Sequence, residues 1–124
     1  MENSSGKKIW IIADGYLPEK SNGDFISHES VCVLNLNEET AKIKITIFFE
    51  DRDPMEGFEA LCGANRTNHI RLEKIKDKLG QNIPRGVPYA LKVESSCPVI
   101  VQHTRLDTSQ PELSLMTTMG YPLN

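Results

Sequence analysis

The sequence predicts an all-β fold: an antiparallel sandwich, jelly-roll-like, of about seven or eight strands with at most one short helical turn. Three observations predict it. Short β-branched and apolar runs recur along the chain, among them "IWII", "IFF" and "VIV". Clusters of Gly, Pro, Asn, Asp and Ser separate them, as reverse turns require. Only one stretch has any helical character. With 124 residues, the chain is expected to form one domain spanning 1–124.

The elements follow in order. Residues 7–13, "KKIWIIA", read as a first strand, and 14–24 are dense in turn formers, including Asn22-Gly23. Residues 25–35, "FISHESVCVLN", read as a long strand. Residues 41–50, "AKIKITIFFE", alternate at their start, with Ile43, Ile45 and Ile47 on one face and Lys42, Lys44 and Thr46 on the other. The short loop 36–40 suits a hairpin, so these two strands are expected to pair antiparallel. After the turn region 51–57 come strands at 58–62 and 66–72. Residues 73–88 carry the helical character; Gly80 stands where a helix of one or two turns would end. Residues 89–95 and 98–106 read as two strands divided by Ser96-Cys97-Pro98, and one last strand is expected around 113–119. Strands apolar on both faces are covered twice, so a homo-oligomer is expected.

The totals exclude several roles. The formal net charge is −3, which lacks the basic footprint of a nucleic-acid binder and argues against nucleic acid as a partner. No apolar run approaches the ~20 residues that span a bilayer, and "MENSSGKK" does not open a signal peptide. Three cysteines without CxxC spacing read as reduced thiols in a cytoplasmic protein.

Polar side chains appear where a sandwich does not need them. They are Ser27-His28-Glu29-Ser30, Arg66-Thr67-Asn68-His69 with Arg71, and Gln102-His103-Thr104-Arg105. All three histidines of the chain lie in these segments. Strand parity sets Val99, Val101, His103 and Arg105 on one face, and Glu29 with Val31 and Val33 on one face. If the polar ends of these strands gather at one edge of the sandwich, they wall a cleft. The candidate ligand-binding residues are Trp10, His28, Glu29, Arg66, His69, Gln102, His103 and Arg105. Arginine, histidine and glutamine offer multidentate hydrogen bonds to hydroxyls or carboxylates, and Trp10 offers a face for a sugar ring. Taken singly, each is more often structural: His as a satisfied strand residue, Trp10 as core in "IWII", and Arg–Glu pairs as inter-subunit ion pairs.

No catalytic or metal-ligating set is expected, and no cofactor. There is no His-x-His pair, a hydrolase triad lacks its elbow glycine, and no phosphate-binding loop appears. A metal-dependent enzyme on a cupin-like barrel is kept as an alternative, as is a purely protein-binding transducer whose polar cluster is a subunit interface.

Five blocks carry a resemblance: "WIIADGYLP" (10–18), "FISHESVCVLN" (25–35), "ITIFFED" (45–51), "RTNHIR" (66–71) and "PVIVQHTRLD" (98–107). In this order they resemble the sensory rhodopsin transducer family, over nearly the whole chain. The resemblance implies a cytoplasmic homotetramer of β-sandwich subunits, a signalling or adaptor role rather than catalysis, and a membrane receptor of the sensory rhodopsin type or another signalling protein as partner. It also implies a small, sugar-like ligand. The lysine-rich stretch 73–88 departs from the family's corresponding loop, which points to a different partner if that loop makes the contact.

Overall fold

The computed structural model describes residues 5–110 and 112–124. Eight antiparallel strands build it: β1 (Lys7–Tyr16), β2 (His28–Asn35), β3 (Ala41–Phe49), β4 (Met55–Cys62), β5 (Arg66–Arg71), β6 (Pro88–Asp107), β7 (Ser114–Met119) and β8 (Tyr121–Leu123). No helix occurs among the described residues, and the sheet does not close on itself. One layer runs β4-β3-β6-β1-β8. The other is built on the second half of β6, with β2 on one side and β7 on the other, and β5 beyond β2.

β6 is the member common to both layers. Its first half lies between β3 and β1, with Leu91 facing Ile47 and Ile12, and Val93 facing Ile45 and Trp10. Its second half lies between β2 and β7, with His103 facing Val31 and Thr118, and Arg105 facing Glu29 and Met116. Every odd position from Tyr89 to His103 is buried. One strand thus presents an unbroken inward face to two layers, a period-2 pattern of 20 residues.

The expected division at 96–98 is absent. Ser96, Cys97 and Pro98 have no ladder partner on either side, so Pro98 removes no ladder hydrogen bond and the strand continues through it. Instead the Ser96 hydroxyl accepts the Lys42 N–H at 2.9 Å, and the Pro98 carbonyl accepts the Asn37 amide at 2.6 Å.

The expected hairpin of 25–35 with 41–50 is also corrected. β2 pairs β5 and β6 in one layer, whereas β3 pairs β4 and β6 in the other. A loop this short crosses the ~10 Å between packed layers as readily as it reverses a strand. The buried Asn35 holds the crossing: its amide donates to the carbonyls of Glu39, Cys62 and Gly63, and its Oδ1 accepts from Asn37.

The lysine-rich stretch forms a turn rather than a helix. The Asp77 carboxylate accepts the Leu79 and Gln81 N–H groups, and a lone bridge joins Lys76 to Asn82. Gly80, with φ +79°, serves that turn. β4 begins earlier than the sequence suggests because a bulge at Glu56-Gly57, with Gly57 at φ +91°, keeps pairing through Met55.

The core joins both layers: Ile43, Ile45, Ile47 and Phe58 from one, Val31, Val33, Ile70 and Val101 from the other. Leu91 is fully buried at the centre of the first. Leu91→Ala is expected to lower unfolding free energy by about 2–5 kcal/mol in urea denaturation, with the strand signature in circular dichroism retained below the transition.

Candidate functional site

The parity argument sets Glu29, His103 and Arg105 on inward faces of adjacent strands, and the register does bring them together. Glu29 faces Arg105 and Val31 faces His103 across β2–β6. The Glu29 side chain is fully buried. His103 Nε2 donates to its Oε1 at 3.0 Å, and the Tyr89 hydroxyl donates to the same oxygen. Oε2 accepts the Arg105 Nε–H at 2.7 Å and the Tyr16 backbone N–H at 2.8 Å. Four donors thus meet the roughly four lone-pair sites of one carboxylate. Such satisfaction is what an ionised group needs away from water.

The electrostatics follow. Burial pushes the Glu29 carboxyl up, but the hydrogen bonds from His103, Tyr89 and the Tyr16 N–H outweigh it and hold the group below its ordinary value of 4.5. Burial and the Glu29 charge push the Tyr89 hydroxyl far above the tyrosine range, so it remains a donor. Burial lowers Arg105, yet its bond to Glu29 and the charge there hold it above its ordinary value.

A cleft of about 610 Å³ opens beside this cluster, lined by Ile11, Ile12, Ala13 and Asp14 of β1, His103 and Arg105 of β6, Met116, Thr118 and Met119 of β7, and Tyr121 of β8. β1 is irregular between Ile12 and Gly15. There, on the edge that β8 does not cover, its backbone meets side chains: the Asp14 carbonyl accepts Arg105 Nη2 at 3.2 Å, and the Tyr16 N–H goes to Glu29. The Asp14 carboxylate stands 3.6 Å from Arg105 Nη2. With Nε committed to Glu29, the guanidinium is oriented at the cleft, and the His103 ring is fixed by the same carboxylate.

The other candidate residues lie elsewhere. Trp10 is core, its indole N–H shared between the Lys7 and Val99 carbonyls at 3.0 and 3.1 Å. His69 and Gln102 flank Cys32 in the register, and both are exposed on the outer side of the layer. Arg66 is exposed at the far end of β5, opposite Asn35. His28 sits at the start of β2, its ring nitrogen bonded to the Ile26 carbonyl at 3.0 Å. His28, His69 and Gln102 carry the parity opposite to Glu29 and His103, while Arg66 is removed by its distance along the strand. Tyr89 is the member of the Glu29 cluster that the candidate residues did not include. Its signal was present: continuing the odd-numbered face of 98–106 back through Pro98 reaches it.

Among the described residues, no three His, Cys, Asp or Glu side chains lie close enough to hold a metal ion.

Two outcomes are expected. Because folding lowers the Glu29 value, its contribution is present above the ordinary glutamate value of 4.5 and is lost as pH falls through the lower folded value. Melting temperature should therefore drop on acidification through that window, and Glu29→Gln should flatten the drop. The same variant strands buried donors and should cost on the order of 3 kcal/mol at neutral pH, read by chemical denaturation.

The similarities to known proteins cover the strands that build this cluster. The family model of the Anabaena sensory rhodopsin transducer matches residues 5–122. The crystal structure of Thermotoga maritima 1070 is similar with a TM-score of 0.83 and 42% identity, over 95% of this chain and 96% of that one. The Anabaena sensory rhodopsin transducer is similar with a TM-score of 0.75 and 39% identity, over 88% of this chain and 96% of its own. No curated protein matches the sequence. A match that runs from before β1 into β8, at such identity, leaves one assignment: the chain belongs to the Anabaena sensory rhodopsin transducer family.

Proposed function

We propose that this protein is a non-enzymatic signal transducer or adaptor that binds a small polar ligand beside Arg105 and His103 and relays its presence to a protein partner. The observation that carries the reading is the saturation of Glu29. A carboxylate with four donors has no lone pair left for a general base; it is suited to fixing Arg105 and His103 at the rim of the cleft. Around them the cleft supplies the Thr118 hydroxyl and the Tyr121 ring, which suit a sugar-like molecule or a small acid. Trp10, His28, Arg66, His69 and Gln102 have no part in this site.

A partner of the sensory rhodopsin type follows from the related transducer's name. A cytoplasmic location accords with three free cysteines. A homo-oligomer, tetrameric as the resemblance implies, accords with the exposed Leu115, Met116, Met119, Tyr121 and Leu123 at the β7–β8 edge.

A thermal-shift screen over sugars and small carboxylic acids tests the ligand. At least one compound should raise the melting temperature, and Arg105→Ala and His103→Ala should each remove at least nine-tenths of that shift. Ligand responses that survive both substitutions would sink the assignment. The exposed apolar edge favours a second reading, in which the polar cluster serves assembly alone. In that case Arg105→Ala would dissociate the oligomer in sedimentation and no compound would shift melting.

A further inference from the structure

The cleft beside Arg105 is polar at one end and apolar at the other. β1 follows one wall from Asp14 back to Ile11, and β7 follows the other from Met116 to Met119, each a span of about 10 Å. Arg105 binds the Asp14 carbonyl and stands opposite Met116, which fixes the polar end. At the other end Tyr121 pairs with Ile11, and Gly120, next to Met119, lies against the Ile11 carbonyl. Met116 and Met119 each leave half or more of their surface open. The donors at the polar end are aimed but not all spent. Glu29 holds Nε of Arg105 and the Asp14 carbonyl holds Nη2, while no described residue takes the Nη1 N–H groups. The Asp14 carboxylate comes only to 3.6 Å from Nη2, on a side chain 84% exposed. It marks a carboxylate position beside the guanidinium without making a hydrogen bond there.

We infer that the ligand is an amphiphilic monocarboxylate, an aryl- or alkyl-substituted acid whose carboxylate binds Arg105 at the Asp14 end and whose apolar body lies between Ile11 and Met119. The inference rests on the ligand reading above and narrows its class. A sugar carries a hydroxyl on almost every carbon, and each one taken from water needs a partner. The side chains of Ile11, Ile12, Met116 and Met119 have none to give, and Thr118 and Tyr121 supply one hydroxyl each. Guanidinium N–H groups meet a carboxylate with charge as well as hydrogen bonds, which a neutral hydroxyl does not match. Methionine side chains adapt to an aliphatic or aromatic body and make favourable sulfur contacts with a ring. The ligand carboxylate displaces the loosely held Asp14 side chain, so Asp14 competes with the ligand for Arg105.

Titration calorimetry on the full chain tests this. The probes are phenylacetate, 3-phenylpropionate and hexanoate, with their amides as uncharged matches and gluconate and glucose as polar ones. At least one of the acids should bind, and its amide should bind about tenfold more weakly, or worse. Asp14→Asn removes the competing charge and should tighten the acid about threefold. Met119→Gln puts a polar group at the apolar end and should weaken the acid about fivefold. Both positions are exposed, so the variants should keep the wild-type circular dichroism. Gluconate or glucose binding while all the acids stay silent would overturn the amphiphilic class and leave the ligand reading standing. Silence from every probe would overturn this inference, and silence from the wider sugar and acid screen as well would take the ligand reading with it. An acid that binds no better than its amide, or whose affinity ignores both Asp14→Asn and Met119→Gln, would overturn the placement in this cleft.

Discussion

The structure depends on one strand serving two layers. β6 runs 20 residues without interruption, long enough to pair with β1 and β3 at one end and with β2 and β7 at the other. Its buried face never changes side between Tyr89 and His103. Because the strand passes from one layer to the other, side chains distant along it meet again across the core. Tyr89 near its start and His103 near its end bind the same oxygen of Glu29. The polar cluster is therefore a product of topology; no single strand or hairpin contains it.

That cluster shows how a charge is kept in an apolar interior. An isolated buried carboxylate is costly, and the attraction of one partner seldom offsets the loss of water. Glu29 draws on four donors: three side chains of β6 and one backbone amide of β1. The arrangement exacts a chemical restriction, since every acceptor site is taken. What remains partly exposed is the guanidinium of Arg105, with the buried His103 ring beside it; both are held by Glu29 and both line the cleft. At the opposite end of the sandwich, Asn35 and Asn37 do a purely structural version of the same task, joining the crossing loop to Cys62, Gly63 and Pro98 through neutral amides.

Family membership gives this geometry its biological frame. The match covers all eight strands in part or whole, so the layered fold belongs to the family, while the bonded groups around Glu29 are read from this chain. Arg105 and the exposed Met116 and Met119 of β7 line one cleft.

The sequence by itself determined the all-β class, most strand positions and the inward direction of Glu29, His103 and Arg105. Alternation is local physics: a side chain's face follows from its parity, whatever the strand's neighbours are. It did not determine which strands are neighbours. The loop after Asn35 reads equally as a hairpin or a layer crossing, and Pro98 reads as a break unless its lack of a ladder partner is known. His69 and Arg66 seemed to belong with His103 for the same reason, since residue type says nothing of which face or which end of the sheet a strand presents. Tertiary structure decided those questions, because register and layer are set by burial summed over the whole chain, and only that sum sends Tyr89, His103 and Arg105 to a single carboxylate.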